Sequence, residues 1–426
     1  MRNLHAYRVY LLMSAVQALA MATMFTTGAV YYVNGVGLDP LQLVLVGTTL
    51  EATAFLFEIP TGIVADVYGR RRSIVIGHLL LGAGFALVGA VPVFAVVLMG
   101  QVVTGIGYTF LSGATEAWLA DEIGDIHVGT ALIRARQGER LATLAGIVLG
   151  TLLAGLRLNL PFLLGGGFWL ALGLFLVWQM PETGFAPRPR AERSTWKTLR
   201  DTFRDGARMV RRSRMLMLFF GIAFFWGAAS EGFDRLSDAH LLANFTFPTI
   251  GGFQPVVWFG VLAFVSTLLE LGVTELIRKR LEAVTRIPSS TAKVLFAINA
   301  AMIVCVLAFA LAGRFVPAAL AMLAYGLCRS TGGPLLDAWL VQHVRADVRA
   351  TVLSMRGQTD AIGQIAGGPV IGLIGNLASI RAAIFTAGLL LSPALILYAR
   401  TIRHSREVIG EDVPPVGMPI ETAETA

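Results

Sequence analysis

Long apolar runs, interrupted by short polar breaks, repeat along the whole chain. A helix that crosses a hydrocarbon layer needs roughly 20 mostly apolar residues. Twelve runs reach or approach that length: 8–33, 42–65, 73–90, 93–119, 132–156, 160–179, 215–242, 254–277, 292–312, 316–341, 350–375 and 381–400. The breaks carry turn chemistry at Asp39-Pro40, Pro92, Pro161 and Pro317. The first run starts like a secretory leader, basic and then alanine-rich, yet it continues past Ala22 to about Tyr32. That is too long for a leader's apolar core, so it reads as a first span. Several runs contain charges, so a hydropathy threshold is expected to register about ten to twelve of them. The pattern predicts an all-α polytopic membrane protein with twelve transmembrane helices.

The longest polar stretch, 180–214, separates the runs into two sets of six. It predicts an N-terminal six-helix half over 1–180, a linker over 181–214, a C-terminal half over 215–403 and a disordered tail over 404–426. Within the linker Trp196, Leu199, Phe203, Ala207 and Val210 recur at helical spacing among Arg and Asp. That spacing predicts an amphipathic helix lying on the membrane surface, with a plain solvated linker as the alternative. The halves also resemble each other. "TEAWLADE" (115–122) aligns with "LDAWLVQH" (336–343), placing Trp118 and Trp339 221 positions apart. The same offset pairs Gly105 with Gly326, Thr130 with Thr351, Gln137 with Gln358, Glu139 with Asp360 and Gly146 with Gly367. Repeated halves around a midplane site are the build of secondary transporters.

Composition excludes a soluble domain. Hydrophobic residues make up 55% of the chain and charged residues 14%, against about 25% charged in soluble domains. The net charge of +7 is scattered between apolar runs, which orients a chain in a bilayer and makes no nucleic-acid footprint. The loops after even-numbered spans hold Arg70–Arg72, Arg134, Arg136, Lys279, Arg280, Arg345 and Arg349, and 180–214 adds ten Lys/Arg against four acids. The loops on the other side offer Arg157, Arg314 and Arg381. The positive-inside rule therefore predicts a cell (inner or plasma) membrane protein with both termini cytoplasmic. Cys305 and Cys328 lie inside apolar runs and read as small buried side chains. No phosphate-cradling GxxxxGK[ST] loop and no His/Cys cluster is present, so neither ATP-driven pumping, a metal nor another cofactor is expected. His240 beside Asp238 is the one thin basis for a membrane enzyme.

The stretch "FEIPTGIVADVYGRRRS" (57–73) then acquires a meaning. "GIVADVYGRRRS" resembles the loop between spans two and three of the major facilitator superfamily, with Gly62, Asp66, Gly69, Arg70 and Arg71 on the pattern. The resemblance covers essentially the whole chain and implies the major facilitator fold with two six-helix halves. It implies that Gly62 allows close helix approach and that Asp66 docks on the start of span eleven, near 350–356. A helix N-terminus carries partial positive charge that stabilises such a carboxylate. Arg70 or Arg71 is implied to meet Asp121 or Glu122 at the end of span four, clamping the halves while the cytoplasmic mouth is shut. "FEIPTG" and "SGATEAWLADE" resemble bacterial drug and tetracycline-resistance-like exporters more narrowly. One departure is that Gln101 stands where the drug-antiporter pattern has an arginine, four residues before Gly105.

Charges inside spans cost about 2.5–3.5 kcal/mol each on insertion scales and are expected to face a polar cavity or a partner. The candidates are Glu51 and Glu58 in span two, Glu116 in span four, Glu139 in span five, Arg329 and Asp337 in span ten and Asp360 in span eleven. Span seven carries Glu231, Asp234, Arg235 and Asp238, spaced to stack on one helical face that should line the cavity, with Gly227 and Gly232 as bending points. Arg329 is placed with the substrate or proton pathway, a static salt bridge with Asp360 or Asp337 being the alternative, and Gln17, Thr23 and Thr26 are candidates to add neutral hydrogen bonds to the same cavity. A buried carboxylate that holds its proton more tightly can exchange it for a cationic or zwitterionic substrate. The expectation is proton-coupled efflux of a small amphipathic compound by alternating access. Import or facilitated diffusion of a metabolite is the alternative within transport, and a non-transporting sensor is the alternative outside it.

Overall fold

The computed structural model describes residues 4–185, 204, 207–248, 255–285, 288–344 and 349–411. Among these residues there is no strand, and the helices form twelve rods besides a short helical segment at 207–212, within the linker. In the first half these are α1 (Leu4–Val36), α2 (Pro40–Tyr68), α3 (Arg70–Ala90), α4 (Phe94–Ile123), α5 (Asp125–Leu156) and α6 (Leu160–Gln179). The second half contributes α7 (Arg214–Asn244), α8 (Pro255–Thr285), α9 (Pro288–Leu311), α10 (Phe315–Gln342), α11 (Arg349–Leu377) and α12 (Ile380–Leu390 followed by Ser392–Glu411). Ten are long and apolar enough to cross a membrane by composition alone. The exceptions are α10 and α11, whose interiors carry Arg329, Asp337, Arg356 and Asp360. Of the predicted amphipathic linker helix, 186–203 lies outside the described residues, as does the tail beyond 411.

Local chemistry sets the rod ends. At the α2 start the Asp39 side chain accepts from the Gln42 N–H while the Gln42 side chain accepts from the Asp39 N–H, and Pro40 sits at the first helical position. Ser213 and Ser379 cap α7 and α12 in the same spirit. Two irregularities were not expected from the sequence. The last turn of α1 widens to π-helix over Tyr31–Val36. Within α4 the chain breaks at Ser112-Gly113, where Gly113 takes φ +69°, a conformation that glycine adopts without a Cβ penalty.

The same packing occurs twice. In the first half α1 lies on α5 and α6, and α3 on α4 and α6; in the second, α7 lies on α11 and α12, and α9 on α10 and α12. Glycine explains the closest crossings. A Cβ at Gly146 would stand 2.6 Å from the Leu19 carbonyl oxygen of α1, and one at Gly367 would stand 2.5 Å from the Ala228 carbonyl oxygen of α7. Small residues at this spacing let backbones touch in lipid. The run "GQIAGGPVIG" gives α11 two such faces: Gly363 and Gly367 meet α7, while Gly368 and Gly372 meet α2 of the other half.

The halves join through α2 with α11 and α7, and through α5 with α8. These junctions lie at the end away from the arginine-rich loops. There the Leu41 N–H donates to Asn376 Oδ1 at 2.9 Å, Gly375 abuts Pro40, and Gly260 abuts Thr151. At the basic end, Gly62, Gly138 and Gly357 face open space. Among the described residues the contacts between the halves thus gather at one end, and the cleft between them faces the basic end.

Candidate functional site

A cavity of about 320 Å³ lies between α1, α7, α8 and α10 at the closed end of this cleft. Asp234, Ser237 and Asp238 project into it from α7, and Tyr325 and Arg329 from α10. Phe25, Phe233 and Phe259 supply apolar wall, and the Phe233 and Tyr325 rings pack at 4.1 Å. Arg329 Nη1 donates to Asp234 Oδ1 at 2.5 Å. The pair is only about half withdrawn from solvent, with the side chains 41% and 38% exposed. Behind Arg329 a smaller cavity of about 40 Å³ reaches Asp360, Ser230 and Trp226. Gln364 Nε2 donates to Asp360 Oδ2 at 2.9 Å.

The charged face of α7 does not stay together. Asp234 and Asp238 reach the cavity, whereas Glu231 and Arg235, paired at 3.0 Å, turn into the junction with α2. They pack on Gly47, which leaves no room there for a side chain. A helix turns about 100° per residue, so four charges over two turns span more than one neighbour's width. Glu51, one turn further along α2, interacts electrostatically with Glu231, Arg235 and Asp360. Tyr32 of α1 also feels Arg235 and accepts a hydrogen bond from Gln101 Nε2 at 3.3 Å. Charged and polar groups of α1, α2, α4, α7, α10 and α11 thus form one contiguous region.

Several placements correct the sequence expectations. Arg329 meets neither Asp337 nor Asp360 as its ion pair; Asp234 takes that place, and Asp337 pairs with Arg356. Gln17 leaves the cavity, its Nε2 donating to His78 Nε2 at 2.8 Å, while His78 Nδ1 donates to the Ile74 carbonyl at 2.6 Å. Buried Thr23 returns its hydroxyl to the Leu19 carbonyl. α7 runs through Gly227 and Gly232 as one continuous helix, and these glycines make room for the Asp360 backbone and for Ile371. Among the described residues Gly62 makes no close approach, since a Cβ there would meet nothing within 4 Å.

At the basic end Arg70 forms an ion pair with Asp121. The Arg71 N–H donates to Glu182 at 2.9 Å, and its guanidinium donates to the Val177 carbonyl. Buried Glu122 accepts from the Thr183 N–H at 2.5 Å, the Thr183 hydroxyl at 2.7 Å and the Gly184 N–H at 2.8 Å. These bonds tie the first linker residues onto α3 and α4. Gly69 makes the turn with φ +111°, and Asp66 stands partly exposed on the last turn of α2. Glu58 accepts from Ser112 at 3.1 Å. Glu116 and Glu139 lie around Tyr10 of α1, and Glu139 meets Arg136 at 3.7 Å.

Sequence reasoning missed Tyr325, Arg356, His78 and Glu270. Glu270 accepts from Ser266 at 3.1 Å and lines, with Arg136, Glu139 and Arg140, a further cavity of about 310 Å³ between α5, α8 and α10. Its signal was present, since it is an acid inside the run 254–277. Tyr325 gave none, because an aromatic residue in a span is ordinary.

The description Major Facilitator Superfamily belongs to a family model that matches residues 10–289. The uncharacterized MFS-type transporter YxaM of Bacillus subtilis (strain 168) is 21% identical over 392 residues, covering 90% of this chain and 93% of that protein. A variant of the nucleoside transporter NupG shares the fold with a TM-score of 0.75 at 17% identity, over 94% of this chain and 99% of that one. A variant of the peptide transporter POT in complex with sulfate gives 0.72 at 16%, over 94% and 95%. Twelve rods in two repeated halves, a cleft between them and a family match over most of the chain lead to one assignment: this chain belongs to the Major Facilitator Superfamily and is a membrane transporter of that type.

Proposed function

We propose that the protein exports a small amphipathic compound in exchange for protons, alternating between the cleft form described above and one open at the other end. The observation that carries this reading is the polar cavity at the closed end of a cleft between repeated halves. Charges are kept inside a bilayer only where they face partners or a path. Glu51, Glu231 and Asp360 supply acids on both sides of the α2–α11 junction, where a change of contact between halves alters their surroundings. Export is favoured by "FEIPTG" and "SGATEAWLADE", and the cell membrane with cytoplasmic termini by the Lys/Arg distribution. In the closed form of the basic end, Asp66 docks against the α11 start, with Arg70–Asp121 holding the α2–α3 turn in shape. Import of a small metabolite is the second reading, favoured by Gln101 in place of the antiporter arginine.

The test is a drug-susceptibility panel in an efflux-deficient bacterium, with and without a protonophore, followed by proteoliposome transport under an imposed pH gradient. Export that raises tolerance and collapses with the protonophore is the expected result. Accumulation of a compound inside the cells would favour the import reading, and no gradient-dependent flux of any compound would remove proton coupling.

A further inference from the structure

We propose that Asp238 holds the charged head of a lipophilic monocation, with the rings of Phe25, Phe233, Phe259 and Tyr325 around it. The proposal rests on the transport reading and names the class of substrate that its cavity takes. Two acids and one base line this cavity. Asp234 and Arg329 are bonded to each other at 2.5 Å and so neutralise each other. Among the described residues, none donates a hydrogen bond or an ion pair to Asp238. When Asp238 is ionised, the wall therefore carries one uncompensated negative charge. Its aromatic faces attract a cation too, because ring quadrupoles present negative density to it.

The alternatives fit less well. An anion meets Asp238 with no free base, since no other Lys or Arg among the described residues lines the cavity. A neutral ligand would leave Asp238 to be covered either as a lone carboxylate, which is unfavourable, or in its protonated form, in which case binding releases no proton. A zwitterion would have to displace Asp234 from Arg329 to seat its acid. A cation satisfies Asp238 and leaves that pair intact. The volume, about 320 Å³, is at the small end of ligand cavities, which run from about 300 to 1,000 Å³.

One exchange follows. The carboxyl of Asp238 carries either a proton or the substrate cation, so cation binding releases the proton to water and protonation releases the cation. The charged and titratable groups facing it are Asp234 on its own helix and Tyr325 and Arg329 on α10. Its neighbours from α1 and α8 in the wall, Phe25, Thr26, Phe259, Leu262, Ala263 and Ser266, carry no titratable group.

The probes are tetraphenylphosphonium and tetraphenylborate, which share shape and differ in sign, tested on the purified full chain by equilibrium dialysis. Saturable tetraphenylphosphonium binding is expected, and no saturable binding of tetraphenylborate in a separate dialysis, the two ions being kept apart because they precipitate together. Asp238→Asn should weaken binding about tenfold, as for loss of one ion pair of about 1.4 kcal/mol, while Asp238→Glu retains it. Acidification should weaken binding by about tenfold per pH unit once the carboxyl is mostly protonated, and only where position 238 is acidic. Gel filtration of both variants checks folding, and the glutamate variant keeps the test open if the asparagine variant does not fold. Absent saturable binding, preference for the borate, or an unchanged pH profile in Asp238→Asn each overturn the proposal. Failure of the transport reading shows separately, as a cleft that never closes at the basic end in cross-linking between α5 and α8.

Discussion

Two arginines near the cavity have opposite surroundings, and that difference decides what their removal does. Arg235 lies against Glu231, whose side chain is 2% exposed. Removing one partner of a buried pair strands the other and typically costs about 3–5 kcal/mol. Arg235→Gln is therefore expected to lower the thermal midpoint strongly in a detergent melting assay, and a melting curve equal to wild type would place Glu231 in water. Arg329 and Asp234 face an open cavity, so much of their interaction is screened and stability should change little. Asp234→Asn is instead expected to cut transport about tenfold, the size of a lost ion pair. The charge-swapped double variant Asp234→Arg/Arg329→Asp should recover part of it. Equal flux in all three proteins would reduce the pair to scaffolding.

Among the elements, α11 joins its own half to the other, because one glycine face packs on α7 and the other on α2. Gly367→Val would drive a branched side chain into the α7 backbone at Ala228, an overpacking of about 1–3 kcal/mol. Lower folded yield in detergent with unchanged substrate selectivity is the expected outcome. Gly372 lies on the other face, against Leu41 and Val44 of α2. Cysteines at Leu41 and Asn376, in a chain lacking Cys305 and Cys328, should cross-link on oxidation, since backbone and side chain already meet there at 2.9 Å. Cross-linking should lock the cleft and stop transport, and reduction should restore it. Full transport by the cross-linked protein would mean that this end never opens.

The whole molecule has one wide end and one closed end, and the arginines mark the wide one. Orientation is thereby testable without a substrate. Cysteines replacing exposed Arg72 and exposed Arg157 should react with a membrane-impermeant reagent from opposite sides, Arg72→Cys only after the cytoplasm is opened. Labelling of Arg72→Cys in intact cells would invert the assignment. Asp66→Asn should leave insertion intact and cut turnover sharply, because the charge–dipole contact proposed for the closed form would weaken. Normal turnover at equal expression would remove Asp66 from the clamp.

Span number, the two-half repeat and the polar residues worth watching were legible along the chain. Each depends on local facts: run length against bilayer thickness, a fixed offset, and the cost of charge in hydrocarbon. Partner choice was not legible. Glu231 and Arg235 were readable as an i,i+4 pair, but not their turn into the α2 junction, which depends on Gly47 of another helix. Asp337 and Arg356, on α10 and α11, meet only because those helices come together beyond the end of a loop. Gln17 looked like a cavity residue until His78 of α3 supplied a nearer partner. Glycine runs announced close packing, and only the packed rods showed which neighbour each face receives. Sequence determined which side chains must be satisfied inside the membrane; tertiary structure decided by what, because helix rotation and the angle between the halves are set by long-range packing that no local pattern encodes.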